Sequence, residues 1–269
     1  MNRTSPVDRR ERVLLRRLRQ AIRGIEVDTD LDALAEAVED GDIARVEDVA
    51  GVGSDDWAIA ILVGIILAHL RVVMFDLAES LSQEHHLPFD SIDRRFQDWL
   101  EGKGSELRRD IAYQSRQVIE SLMRNGQYDG RSARTTAALI LSYRWILHRQ
   151  LDGIERLRNR LIGSGLNRDA VRSALAGAVR SAQTRRTELV IATAITAAIT
   201  KVTMTISADA TASGTASGQL RWITERDELV CPICLPLDGV VQPIGSRWGE
   251  LQVEGPPAHP LCRCHLENA

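Results

Sequence analysis

All four cysteines of this chain lie in two short stretches near its C-terminus, Cys231-Pro-Ile-Cys234 and His259-Pro-Leu-Cys262-Arg-Cys264. The stretches share one form: a ligand-bearing residue, proline, an aliphatic residue and a second ligand-bearing residue. A Cys-x-x-Cys turn aims two thiolates at one point and needs a second pair from elsewhere to complete a tetrahedron. The His/Cys turn supplies that pair, so Cys231, Cys234, His259 and Cys262 are the expected ligands of a structural Zn2+. Cys264, two residues beyond Cys262, points to the same side of an extended segment and is a spare or a substitute. An all-cysteine set without His259 is the alternative. Four protein ligands leave no position open for a substrate, which makes the expected role structural rather than catalytic. Disulfides and unligated thiols compete with this reading. Cytoplasmic thiols stay reduced, however, and Cys-Arg-Cys is awkwardly spaced for two separate bridges.

The segment carrying these residues, from Leu220 onward, is too short to bury a core without a staple or a neighbour. Its pattern is irregular. "LRWIT" alternates as a strand does, Leu237-Asp238-Gly239 reads as a turn, and "GPPAHP" cannot be helical. Residues 1–207 differ in kind. Leu14, Leu15, Leu18, Ile22 and Ile25 recur on one helical face opposite a row of arginines. Asp30 is placed to cap a short acidic helix that stops at "EDGD". The apolar run from Trp57 to Phe75 is interrupted by His69 and Arg71, which favours a buried helix over a membrane span. Pro88 marks a break. Ser105 and Gly126 bracket the next expected helix. "ARTTAALILSYRWILHRQL" reads as one helix and "IERLRNRLIG" as a shorter one. After a cap at Asn167, Val171, Leu175, Val179 and Ala182 begin a helix that reaches about Val202, with a break possible in its Thr/Ile-rich part. Residues 208–219, "ADATASGTASGQ", have the composition of a flexible linker. The expected architecture is mainly α: a helical region over 1–207, a linker over 208–219, and a small irregular α+β, zinc-knuckle-like module over 220–269.

Composition limits the rest. The chain has 269 residues, 44% hydrophobic and 26% charged, with only 4% aromatic, so its core is aliphatic and suits packed helices. A net charge of −3 gives no general reason for nucleic-acid or membrane attraction. The arginines of the first helix are the one feature that suggests DNA, and the acidic residues from Asp28 to Asp48 weaken their field. No secretory signal is visible at the N-terminus, and the chain is expected to be cytoplasmic at synthesis.

"RWITERDELVCPICLPLDGVVQP" followed by "PPAHPLCRCHL" resembles the C-terminal signature of the phage Mu F-like minor head proteins, also called head morphogenesis proteins. The residues carrying the resemblance are Trp222, Asp227, Cys231, Cys234, Leu237, Asp238, Gly239, Pro256, Pro257, His259, Pro260, Cys262, Arg263 and Cys264. Arg186-Thr187-Glu188 is similar to an Arg-Thr-Glu helix of the same family. Some members lack the first cysteine pair, so the zinc expectation comes from this chain's own spacing. The resemblance implies a non-enzymatic protein of a tailed phage or prophage head, at the portal vertex or capsid interior. It further implies contacts with the portal protein and a major capsid or scaffolding protein, weak nonspecific contact with packaged DNA, and an influence on packaging or ejection. No additional domain is expected after the signature. The alternative is a His-Asn-His metal-dependent nuclease using His265 and Asn268 beside the cluster. It lacks a second histidine free to act as general base.

Overall fold

The computed structural model describes residues 6–27, 29–53, 55–89, 93–225 and 230–269; Asp28 and Asp227 fall outside them. It is mainly helical, with a small sheet and the Cys/His cluster near its end. By packing, the chain divides into two units: residues 1–65 with 103–188, and residues 66–102 with 189–269. The division therefore differs from a helical region followed by a tail, because helical segments contribute to the second unit.

The first unit contains α1 (Pro6–Val27), α2 (Leu31–Asp40), α3 (Ile43–Ala50), α6 (Ala133–Tyr143) and α7 (His148–Gly163). Parts of three longer helices belong to it as well: α4 (Trp57–Glu84), α5 (Arg94–Tyr128) and α8 (Arg168–Ala212). Asp30 caps α2 as expected, accepting from the backbone N–H groups of Asp32 and Ala33. Gly41, at φ +72°, ends that helix in the left-handed conformation that only glycine adopts freely. Leu14, Leu18 and Ile25 of α1 are buried, along with Leu34, Val46, Ile119, Leu122 and Ile140.

Three expectations for helix boundaries are corrected. α5 begins at Arg94, so Ser105 lies inside it, and it continues past Gly126 to Tyr128. "ARTTAALILSYRWILHRQL" is not one helix. α6 stops at Tyr143, and α7 starts at His148. Buried arginines hold the intervening turn open. The Arg144 guanidinium donates to the carbonyl of Ala50, and Arg186 Nη1 donates to the carbonyl of Ile146 at 3.0 Å. Arg186 Nη2 also reaches the carbonyl of Ile111 at 3.2 Å. Burial lowers the Arg186 pKa to about 10, which still leaves it charged at neutral pH. Finally, α8 is unbroken for 45 residues. Asn167 caps it, its Oδ1 accepting from Ala170 N–H at 2.8 Å.

By length and composition, α4 and α8 each contain a stretch that would reach across a bilayer; about half of each stretch is buried within the protein.

In the second unit the end of α8 leads into a three-stranded antiparallel sheet in the order β2-β1-β3. Its strands are β1 (Gln219–Ile223), β2 (Val241–Pro243) and β3 (His265–Asn268). The 208–219 stretch is not a free linker. Ala208 to Ala212 form the last turn of α8, Ala210 is fully buried, and the carbonyl of Ala210 accepts from Thr215 N–H at 2.8 Å. Small residues here allow close packing at a helix end rather than mobility. Leu220 and Trp222 face inward from β1 while Gln219 and Arg221 face outward, the alternation of a half-buried strand. Trp222 packs on Trp248 with ring centroids 5.5 Å apart. Leu220, Leu237 and Leu266 complete this small core together with Cys234, Cys262 and Cys264.

Candidate metal centre

Each half of the cluster is shaped by a turn. In the first, the backbone N–H of Cys234 donates to the Cys231 carbonyl at 3.1 Å and lies 3.3 Å from the Cys231 sulfur. Leu235 N–H also donates to the Cys231 carbonyl. This is how a knuckle presents two sulfurs on one side while its amides face the first of them. The Leu237-Asp238-Gly239 turn then reverses the chain. Gly239, at φ +78°, donates to the carbonyl of Trp222, and the Asp238 carboxylate accepts from Thr224 N–H at 2.9 Å. The first knuckle is thereby tied to β1.

In the second turn Cys262 N–H donates to the His259 carbonyl at 3.2 Å. Two threonines of α8 hold this turn: Thr193 Oγ1 accepts from Leu261 N–H at 3.1 Å, and Thr196 Oγ1 donates to the Cys262 carbonyl at 2.8 Å. Sequence reasoning missed both. The only signal was a pair of hydroxyls three residues apart in the otherwise apolar stretch 189–199 of α8.

The turns bring all five expected residues together. Cys231, Cys234 and His259 form one triad of donor atoms, and Cys234, Cys262 and Cys264 form another, so Cys234 is common to both. His259 Nε2 lies 2.9 Å from the Cys231 sulfur and 3.2 Å from the Cys234 sulfur. The sulfurs of Cys234 and Cys262 are 3.8 Å apart, and no disulfide joins any of the four cysteines. Two sulfurs bound at about 2.3 Å to one tetrahedral ion would stand about 3.8 Å apart, so this edge already has the required length.

Protonation suits the same purpose. His259 Nδ1 lies 2.8 Å from the carbonyl of Pro260. A carbonyl can only accept, so Nδ1 carries a proton, and Nε2 is the nitrogen turned toward the sulfurs and the one that could bind a metal. A hydrogen bond from the Cys264 thiol pulls the Cys262 pKa down to about 5. Burial, reinforced by Cys231, pushes Cys234 up to about 12, and the bond to Cys262 raises Cys264. Free thiols buried side by side share protons in this way, whereas a cation would release them. Thiolate sulfur and imidazole nitrogen are the donors of soft and borderline ions. The cluster can hold a metal ion.

The residues of the alternative reading have other partners. His265 Nε2 contacts Glu267 at 3.1 Å, and Asn268 Nδ2 contacts His85 at 2.9 Å, joining the end of β3 to the segment after α4. Comparison of the chain with protein-family models, curated proteins and solved structures finds no match.

Proposed function

We propose that this chain is a minor head protein of a tailed phage or prophage, acting non-enzymatically at the portal vertex or capsid interior. In this reading its C-terminal module is clasped by a structural Zn2+. The observation that carries the reading is the convergence of the two Pro-containing turns on one buried cluster. Residues of the Mu F-like resemblance help to build the tail: Trp222, Cys234, Leu237, Cys262 and Cys264 belong to its core, and Asp238 and Gly239 make its turn.

The ligands are Cys231, Cys234, His259 and Cys262. The His259 tautomer favours it over Cys264 as the fourth, leaving Cys264 to donate to the Cys262 sulfur. Bound there, zinc supplies no reaction. It neutralises converging thiolates and contributes folding free energy to a segment with a small core. His265 and Asn268 lie on β3 outside both triads of metal-donor atoms, His265 against Glu267 and Asn268 against His85, which weighs against the enzymatic alternative.

Two measurements test this. Antibody detection in purified particles and procapsids of the producing phage tests the head assignment; absence from both would refute it. Incubation with plasmid and magnesium or nickel tests the alternative, and cleavage that disappears in His265→Ala would establish a nuclease instead.

A further inference from the structure

We infer that a groove in the first unit docks an acidic amphipathic helix of a partner protein. The groove is a cavity of about 530 Å³ bounded by α1, α6 and the first part of α8. Along α8 its lining recurs at Arg172, Leu175, Val179, Gln183 and Thr187, steps of three and four that keep to one helix face. That face runs about 22 Å at 1.5 Å per residue, the length of four helical turns. The middle of the floor is apolar, with Gln183 and Thr187 toward one end. Ile22, Leu139 and Leu175 are half-buried around a buried Val179, so apolar surface stays open along the bottom. Four exposed arginines, Arg19, Arg23, Arg172 and Arg180, line it, and no carboxylate is among the lining residues. One nearby acid, Glu188, stands 4.0 Å from Arg19 and lines the adjoining surface.

An elongated trough with an apolar floor and cationic edges matches one kind of occupant. A helix bearing Leu or Ile at spacings of three and four and carboxylates on its flanks uses floor and rim together. A DNA duplex would use the arginines but leave the floor wet. The inference belongs to the helical unit alone and stands independently of the metal cluster.

Selection of full-length protein against a display library of random peptides about 16 residues long supplies the probe, since four turns need about that length. Enrichment of acidic sequences with apolar residues at helical spacing is expected. Their affinity, read by fluorescence anisotropy, should fall about tenfold or more in the Arg172→Glu/Arg180→Glu variant and separately in Leu175→Asp. It should be unchanged in Arg247→Glu, whose guanidinium pairs with Glu254 in the other unit. All four positions are exposed or half-exposed, and circular dichroism verifies that each variant keeps its helix content. Failure to enrich, enrichment of basic or aperiodic sequences, or binding indifferent to both groove variants would overturn the proposal. So would a short DNA duplex that loses binding in the groove variants and displaces no peptide from the native protein.

Discussion

The Pro260 carbonyl holds a proton on His259 Nδ1, which leaves Nε2, the nitrogen facing the sulfurs, as the one to bind a metal. The ligand set can be tested at that single group. Metal analysis of reduced protein should give one zinc per chain for the native sequence and for Cys264→Ser. Affinity in Cys264→Ser should weaken by about tenfold, as expected for removal of a hydrogen bond to a ligand sulfur. Cys231→Ser and His259→Ala should lose the metal on dialysis. If Cys264→Ser loses it and His259→Ala keeps it, the all-cysteine set is correct. Acidification has a definite sign here: thiolate ligands must be deprotonated, so bound metal is retained at neutral pH and released as pH falls. The five residues were legible in the sequence because paired spacing is a local property. The tautomer was not, since it depends on the fold of the second turn.

Helix ends and strand registers carry the next layer. Thr193 and Thr196 show why a metal turn needs a helix behind it: α8 hydrogen-bonds both an amide and a carbonyl of the second turn. Thr196→Val should cost about 1 kcal/mol, the worth of one such bond, measured by urea unfolding of the holoprotein. Gly255 packs closely against that helix. A Cβ there would stand 2.7 Å from Thr200 Cγ2 and 3.2 Å from Leu266, so Gly255→Ala should cost about 1–3 kcal/mol. Asp93 supplies a pH-dependent element. The Arg95 guanidinium holds its carboxyl below the usual range, and Arg95 also pairs with Asp209 near the end of α8. A lowered folded-state pKa means the stabilisation is complete above the ordinary carboxylate value of 3.8 and disappears as pH falls through the folded value. With Arg95 half exposed, Asp93→Asn should lose about 0.5–1 kcal/mol at neutral pH and almost nothing once pH lies below the folded-state value, followed by thermal unfolding from neutral pH downward. Periodicity revealed that these helices exist. It could not place their ends, because Arg144 and Arg186 break and hold the α6–α7 turn through carbonyls distant in sequence.

At the scale of the whole chain, the stretch 208–219 separates what composition suggests from what packing imposes. Small polar residues look like a linker when read alone. In the fold Ala210 is buried, Thr211 packs against Gly218, and Ser217 donates to the carbonyl of the final residue, Ala269. Nothing in the residues themselves signals this, since the partners lie at the far end of the sequence. Limited proteolysis then depends on the clasp. With metal bound, the stretch should resist protease, because its backbone is engaged by α8, β1 and the C-terminus. Chelation would untie the sulfurs and His259 from a single centre, and the tail has too little apolar core to hold its strands without a bound ion. Cleavage within 213–218 should therefore appear on adding chelator and vanish on restoring zinc, while peptides from α2, α3 and α6 stay intact. Near-ultraviolet circular dichroism should report the same event through the packed Trp222 and Trp248 rings. Equal cleavage with and without chelator would mean that the metal does not hold the tail, even if metal analysis had found it bound.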